Sequence, residues 1–190
     1  MRKVSVRGFT LIELVVTLSV AAILATIAIP NFETAIQNNR QVAQINALVE
    51  ALSLARSTAV KEGGSSTVTV CAGASMSCTD TNWADGWIVF TTPPNPPGGN
   101  PQLVRVFPAL SGNNTLSSHS QPSGSSVSSY TFSSSGLLSG TGSASDFYFV
   151  LCDARGATMA RTLDLLPTGS IEAGQTPGYR IDGTTPLTCP

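Results

Sequence analysis

The sequence predicts an α+β fold in which one long N-terminal helix packs on antiparallel β-sheets. Three observations lead to this prediction. An apolar run fills residues 9–29, a pattern with helical spacing follows it up to Gly63-Gly64, and short alternating segments parted by turn residues fill the rest. Apolar residues at three- and four-residue steps indicate helix, whereas strict alternation indicates strand.

The first apolar run is long enough to cross a bilayer. Its 21 residues span about 30 Å as a helix, which matches the hydrocarbon thickness of a membrane. Arg2, Lys3 and Arg7 precede the run, so a cytoplasmic N-terminus and an exported C-terminal part are predicted. The run is longer than the core of an ordinary secretory signal. A plain membrane anchor leaves Glu13 unexplained, because a carboxylate in hydrocarbon is expensive.

After Pro30 the pattern becomes amphipathic, so one helix is predicted from about Phe9 to Lys61, where Gly63-Gly64 ends it. Pro30 is expected to kink or locally melt this helix, since proline removes a backbone donor and clashes with the preceding turn. The buried face is predicted to hold Ile45, Leu48, Val49, Leu52, Ala55 and Ala59. The polar surface is predicted to hold Asn38, Asn39, Arg40, Gln41, Gln44 and Asn46.

Beyond residue 64 the sequence predicts a β-rich region. Strands are expected at 67–71, 87–90, 103–107, 127–132, 147–152, 161–165 and 170–173. Residues 91–101 contain five prolines and are predicted to form a loop. Residues 111–126 are polar and low in complexity, so a loop or mobile excursion is predicted there too. The domains expected are thus an apolar helix over 9–30 and an exported domain over 31–190, with an amphipathic helix at 31–62 and β structure at 65–190.

The composition agrees with a small exported domain. Charged residues make up 11% of the chain, against roughly 25% in typical soluble domains. Seven basic and eleven acidic residues follow residue 8, a net charge of −4, whereas nucleic-acid binders usually show a basic patch. Four cysteines, Cys71, Cys78, Cys152 and Cys189, favour disulfides in an exported chain, and three connectivities are open. A zinc site is the weaker alternative, because the spacing is poor and His119 is the only histidine.

The stretch Gly8-Phe9-Thr10-Leu11-Ile12-Glu13 resembles the signature of type IV prepilins and type II secretion pseudopilins. The resemblance implies a leader peptide over residues 1–8, cut after Gly8 by a prepilin peptidase that then methylates Phe9. It also implies that Glu13, the fifth residue of the mature chain, neutralises the α-amine of a neighbouring subunit during assembly. The expected fold becomes a type IV pilin-like fold.

Later residues resemble the GspH/FimT/FimU group of minor pilins and minor pseudopilins. They are Leu54 to Val60, Thr67 to Cys71, and Trp83-x-Asp85-Gly86-Trp87-Ile88-Val89-Phe90. The resemblance implies a minor pilin near the tip of a type IV pilus that helps to initiate or cap the filament. Its partners would be other minor and major pilins, the prepilin peptidase and the assembly platform. It would lie in the inner membrane with a periplasmic domain, and later in a cell-surface pilus.

Two alternatives stay open within this resemblance. The first is a GspH-like minor pseudopilin of a type II secretion system. The second is a DNA-binding minor pilin of natural transformation, because some FimT-type proteins carry a Gly-Arg-x-Arg stretch near the C-terminal end. The matching stretch here, Gly169-Ser170-Ile171-Glu172, lacks both basic residues, so DNA is disfavoured as a partner. Arg155, Arg161 and Arg180 could still form one basic cluster in space.

The sequence does not indicate an enzyme, a cofactor or a metal. His119 lies in a flexible-looking stretch, which is a poor place for a general base. Trp83 and Trp87 are predicted to be core aromatics rather than ligand contacts. Arg56 is expected at the polar edge of the helix, where it could pair with a carboxylate. Calcium is disfavoured because the spacing of Asp80, Asp85, Asp146 and Asp153 does not resemble a calcium loop.

Overall fold

The computed structural model describes residues 8–92, 100–140 and 146–190. Most of the predicted leader and of the proline-rich loop lies outside these residues. The chain forms two units, residues 1–39 and residues 40–190, which are described separately below. Helix α1, Leu11–Glu62, contributes to both units. The predicted long helix is therefore confirmed, with bounds close to those expected.

The described part of the first unit is the N-terminal portion of α1. The helix continues through Pro30. The hydroxyls of Thr17, Ser19 and Thr26 donate to backbone carbonyls three or four residues earlier, at 2.7–2.9 Å. Because these groups are satisfied within the helix, they suit an apolar environment that offers no water. The kink at Pro30 stays a prediction.

The second unit begins with the C-terminal part of α1. This part ends at Glu62, and the N–H of the following Gly63 donates to the Ala59 carbonyl at 3.2 Å. Gly63 and Gly64 both have positive φ, of 66° and 61°, which is the backbone conformation that ends many helices and favours glycine. The buried residues of this helix are Gln41, Ile45, Leu48, Ala51, Leu52, Ala55 and Ala59.

Nine strands form two antiparallel sheets within the described residues. The first sheet contains β1 (Thr67–Ala72), β2 (Trp87–Thr92), β3 (Gln102–Phe107), β5 (Ser129–Phe132) and β6 (Leu138–Ser139), in the order β3-β2-β1-β5-β6. The second contains β4 (Thr115–Ser120), β7 (Phe147–Cys152), β8 (Arg161–Leu165) and β9 (Ile171–Ala173), in the order β4-β7-β8-β9. Two 3₁₀ turns, Trp83–Asp85 and Ala157–Met159, complete the elements.

The core joins the helix to one face of each sheet. Leu48 and Leu52 of α1 belong to the same buried cluster as Val70 of the first sheet and Phe149 of the second. Trp83 lies in this cluster, with its ring edge-on to Phe149 at 5.0 Å between centroids. Two smaller clusters cover the outer faces. One surrounds Ile88 and Phe90 of the first sheet, and the other surrounds Val150 and Leu187 on the second.

The prediction that residues 111–126 form a loop is wrong. Thr115–Ser120 is strand β4, which pairs with β7 along its full length. Leu116 and Ser118 face inward, and the Ser118 hydroxyl hydrogen-bonds the buried hydroxyl of Tyr130. The strand was not predicted because one of its inward-facing residues, Ser118, is polar, so the sequence lacks the apolar-polar alternation that indicates a strand. The sequence also missed β6, and it placed the start of β5 two residues too early, at Val127.

Candidate functional site: the N-terminal helix and its domain

The start of α1 is a capped helix end. Gly8, Phe9 and Thr10 precede the first turn and are exposed. The Thr10 hydroxyl accepts a hydrogen bond from the Glu13 N–H at 3.3 Å, and the Thr10 carbonyl accepts one from the Leu14 N–H at 3.2 Å. Thr10 is therefore the N-cap, and Glu13 stands three residues later, in the Thr-x-x-Glu pattern of a capping box.

Glu13 lies in the first helical turn, where the helix dipole favours a negative charge. The position of Glu13 is compatible with two roles. Its backbone N–H takes part in the cap, and its exposed carboxylate is available to a positive group from outside the chain. The cleavage between Gly8 and Phe9 that the resemblance implies would create such a positive group at Phe9.

Residues 11–36 of the helix expose apolar side chains on all sides. Thirteen large apolar residues are between 47% and 81% exposed, and they are Leu11, Ile12, Leu14, Val15, Val16, Leu18, Val20, Ile23, Leu24, Ile27, Ile29, Phe32 and Ile36. Within the described part of the chain, α1 is the one helix long and apolar enough to cross a membrane. A surface of this kind is stable only when lipid or other apolar helices cover it.

Arg56 joins two turns of the domain to the helix. Its Nε donates to the Gly136 carbonyl at 3.1 Å, and its Nη2 donates to the Thr168 carbonyl at 3.4 Å. The first turn connects β5 to β6, and the second connects β8 to β9. The expected pairing of Arg56 with a carboxylate is therefore wrong, because the partners are backbone carbonyls that the sequence does not reveal.

Gly169 packs closely against the Gly136 carbonyl and the Arg56 side chain. Its φ is +76°, and a Cβ at this position would lie 2.3 Å from the Gly136 carbonyl oxygen. The stretch that corresponds to Gly-Arg-x-Arg is thus a tight turn followed by β9, and it presents Ser170 and Glu172 at the surface. These two side chains supply no positive charge for a phosphate.

Arg155 and Arg161 meet at a buried amide. Both donate to the Oε1 atom of Gln41, at 3.3 Å each, and the Gln41 Nε2 donates to the Met159 carbonyl at 3.1 Å. Gln41 is only 1% exposed, so its predicted place on the polar surface is wrong. The signal was available, because Gln41 stands four residues before Ile45 on the buried face.

Asp153 forms an ion pair with one of these arginines, Arg155. Its carboxylate accepts hydrogen bonds from the Arg155 Nη2 at 2.6 Å, from the Arg155 Nε at 3.0 and 3.2 Å, and from the Arg155 backbone N–H at 2.9 Å. Burial acts to raise the pKa of Asp153, but these bonds and the charges of Arg155 and Arg40 outweigh it and hold that pKa below its ordinary value.

Arg180 belongs to a different cluster, on the outer face of the second sheet. Its Nη2 donates to Asp164 at 3.0 Å, and its guanidinium carbon lies 4.0 Å above the Tyr148 ring. Side chains alternate along β8, so Asp164 faces opposite to Arg161. The three arginines therefore do not form one basic patch. Burial raises the pKa of Asp164 above its ordinary value, although the hydrogen bond and charge of Arg180 act against it.

The two tryptophans are core residues, as predicted. Trp83 and Trp87 are 0% and 1% exposed. The indole N–H of Trp83 donates to the Val127 carbonyl at 2.8 Å. The indole N–H of Trp87 is buried and has no hydrogen-bond partner among the described residues.

His119 lies on β4 rather than in a flexible stretch, so this expectation is wrong. Its ring nitrogens are 3.1 Å from the Gly124 carbonyl and 3.1 Å from the Ser117 hydroxyl. Within the residues that the structure describes, no group of three or more His, Cys, Asp or Glu side chains could hold a metal ion.

The cysteines form two disulfides, which selects one of the three connectivities. Cys71 pairs with Cys78, with 5.2 Å between Cα atoms, and Cys152 pairs with Cys189, with 6.0 Å between them. The second bond ties the C-terminal tail to the end of β7. The leader cleavage and the role of the Glu13 carboxylate stay predictions.

Two families match the sequence. Residues 44–169 match the family described as type II transport protein GspH, and residues 4–29 match the prokaryotic N-terminal methylation motif. No curated protein matches the chain.

The fold is similar to solved structures of the type IV minor pilin FimU from Pseudomonas aeruginosa strain PAO1. One crystal form matches with 20% identity and a TM-score of 0.51, over 74% of this chain and 96% of the FimU chain. A second form matches with 20% identity and a TM-score of 0.46, over 69% and 87%. At this identity the first match establishes the fold alone.

Proposed function

Since the chain belongs to the GspH family of pilin-like minor subunits, we propose that it is a minor pilin of a type IV pilus. In this role it is a structural subunit that helps to initiate or cap the filament near its tip. The observation that carries the proposal is the apolar surface of residues 11–36, which is exposed on all sides behind an N-methylation motif. The fold, which is similar to that of a type IV minor pilin, is compatible with this role.

The proposed mechanism is assembly without chemistry by the domain itself. The prepilin peptidase cuts between Gly8 and Phe9 and methylates Phe9, while residues 9–30 still lie in the inner membrane. The helix then exchanges lipid for the helices of other minor and major pilins at the assembly platform. The α-amine of a neighbouring subunit neutralises Glu13, so that neither charge is left unpaired in an apolar setting. The domain begins in the periplasm and ends on the cell-surface pilus.

Deletion of the gene that encodes this chain tests the proposal directly. A deletion strain of the native host is expected to carry far fewer pili by electron microscopy, because initiation is impaired while the major pilin is still made. The wild-type chain supplied in trans should restore them. Normal piliation in the deletion strain would contradict the proposal.

A second candidate is a minor pseudopilin of a type II secretion system. The description of the matching family, type II transport protein GspH, favours it. The same deletion strain separates the two functions. A loss of secreted enzymes with unchanged pili would identify the pseudopilin, whereas a loss of pili with unchanged secretion would identify the pilin.

A further inference from the structure

Three arginines of the exported domain lie together beside Gln41. Arg155 and Arg161 each donate to the Gln41 Oε1 atom at 3.3 Å. Arg40 precedes Gln41 on α1 and lies close enough to Asp153 for its charge to act on that carboxylate. We call Arg40, Arg155 and Arg161 the arginine cluster. They are three of only seven basic residues that follow residue 8.

The arginine cluster carries more positive than negative charge. Asp153 forms an ion pair with Arg155, and within the described part of the chain it is the one carboxylate that an ion pair places in the cluster. Three guanidinium groups therefore meet one carboxylate, which leaves an excess of two positive charges. The other ion-paired arginines that the structure describes have a carboxylate each, in the pairs Arg105–Glu50 and Arg180–Asp164.

The arginines of the cluster are partly exposed, whereas its carboxylate is buried. The side chain of Asp153 is 4% exposed and that of Arg155 is 17% exposed. Arg40 and Arg161 are also of intermediate exposure. An anion from outside the chain can therefore contact the guanidinium groups. Their planar arrays of N–H donors match the oxygens of a phosphate group, so the cluster suits a ligand that carries one.

The chain itself keeps the arginine cluster close to a membrane surface. Ile36 is the last of the exposed apolar residues that lipid covers in the proposed membrane-anchored stage, and Arg40 follows four residues later. Even a fully extended chain places Arg40 at most about 14 Å from Ile36. Glu33 is the only charged residue between 31 and 39, so the region as a whole stays positive. Headgroup phosphates at the periplasmic face are therefore within reach, and basic residues beside a membrane segment attract anionic lipids.

We propose that the arginine cluster binds the headgroup phosphate of an anionic phospholipid at the periplasmic face of the inner membrane. The bound lipid holds the domain at the bilayer surface until the helix leaves for the filament. This inference rests on the membrane-anchored stage of the proposed function and not on the kind of filament. Its test needs no filament, so its failure is distinguishable from a failure of the proposed function.

Native mass spectrometry of the purified full chain in detergent micelles measures lipid binding. Phosphatidylglycerol is titrated as the anionic probe and phosphatidylcholine as the neutral probe. The wild-type chain should bind phosphatidylglycerol at least tenfold more tightly than phosphatidylcholine. Loss of one arginine should weaken phosphatidylglycerol binding about fivefold, as expected for a basic residue near an anionic surface. This is the result expected for Arg40→Gln, and the double variant Arg40→Gln/Arg161→Gln should lose about 25-fold.

Arg105→Gln/Lys61→Gln is the matched control, because it removes two positive charges from exposed positions outside the cluster. Its affinity for phosphatidylglycerol should stay within twofold of wild type. Arg40→Gln leaves the bonds between Gln41 and the other two arginines in place, so it tests the site even if the double variant does not fold. Equal affinities of the wild-type chain for the two lipids, or equal losses in the control and cluster variants, would overturn the proposal.

Competition separates the lipid from two other sources of phosphate. Inorganic phosphate at millimolar concentration, or a short DNA duplex, is added to the chain loaded with phosphatidylglycerol. The lipid should remain bound in both cases. Displacement by inorganic phosphate would assign the cluster to soluble anions, and displacement by the duplex would assign it to nucleic acid. Either result would overturn the lipid proposal.

Discussion

Leucine side chains on two stretches of the same helix differ in solvent exposure. Leu24 in the first unit is 61% exposed, whereas Leu52 in the second is fully buried. The second stretch keeps its apolar residues on one face, and the two sheets cover that face. The first stretch is apolar on all sides, and a helix of that kind needs lipid or other helices around it. The domain therefore covers its apolar helix face with its own sheets, whereas the apolar surface of the N-terminal segment needs lipid or other helices to cover it.

The largest effect is expected at Glu13. Glu13→Ala should leave cleavage after Gly8 largely intact but reduce incorporation into filaments by more than about 100-fold. The reason is that Glu13 is proposed to pair with an α-amine in an apolar setting, and removal of one partner of a buried ion pair costs about 3–5 kcal/mol. Immunoblots of whole cells and of sheared filaments measure processing and incorporation.

Glu33→Ala is the matched control, since Glu33 is an exposed acid on the same helix. It should enter filaments nearly as well as wild type. Normal incorporation of Glu13→Ala into filaments would contradict the proposed role of this carboxylate in assembly.

The disulfides should stabilise only the domain, and unequally. Replacing both Cys152 and Cys189 by serine should lower the free energy of unfolding of residues 31–190 by about 4 kcal/mol, because that bond closes a separation of 37 residues. Replacing Cys71 and Cys78, which are seven residues apart, should cost about 2 kcal/mol. Urea denaturation compares the two variants.

Labelling of free thiols in the exported wild-type domain is the control for this comparison. It should detect no reactive cysteine, because all four are paired. Labelling of all four cysteines would show that the domain is not held by disulfides.

Leucine substitutions sharpen the contrast between the two stretches of helix. Leu52→Ala should destabilise the domain by about 3 kcal/mol through the cavity that it leaves. This corresponds to a fall in melting temperature of about 10 °C for a domain of this size. Leu24→Ala should leave the melting temperature of the full chain in detergent unchanged. Equal effects of the two substitutions on the melting temperature would contradict the expectation that Leu24 does not stabilise the domain.

The smallest effect concerns pH. The pKa of Asp153 is lowered in the folded domain, so its contribution to stability is present above its unfolded pKa and is lost as the pH falls through the folded value. Asp153→Asn should therefore weaken the loss of stability between about pH 5 and pH 3. Thermal melts across this range measure the slope.

Asp164→Asn provides a control of opposite sign. Its pKa is raised by burial, so its contribution is present below the unfolded pKa and is lost as the pH rises through the folded value. Its removal should make the acid dependence steeper, whatever the change in overall stability. A flatter slope for Asp164→Asn would contradict the assigned direction.

Much of the architecture could be predicted from the sequence, because helical spacing, the paired glycines and short alternating segments are local signals. Strand β4 could not, since its polar residues are inward-facing only in the context of Tyr130 and β7. For Gln41, the spacing from Ile45 indicated the buried face, whereas the partners that make burial of its polar amide possible could not be predicted. Its burial depends on Arg155 and Arg161, more than 100 residues away, which supply its hydrogen bonds.

The candidate site also has a part that could be predicted from the sequence and a part that could not. The motif around Gly8 and Glu13 is contiguous and could be read directly. The two carbonyls that Arg56 binds come from turns 80 and 112 residues away, so only the fold brings them together.

Mass spectrometry of sheared, purified pili from the native host tests the central claim most directly. The account predicts a peptide that begins at an N-methylated Phe9, in a fraction that contains the other pilins. Absence of this peptide from the pili, with the processed chain found only in the cell envelope, would contradict the account and favour a secretion pseudopilus.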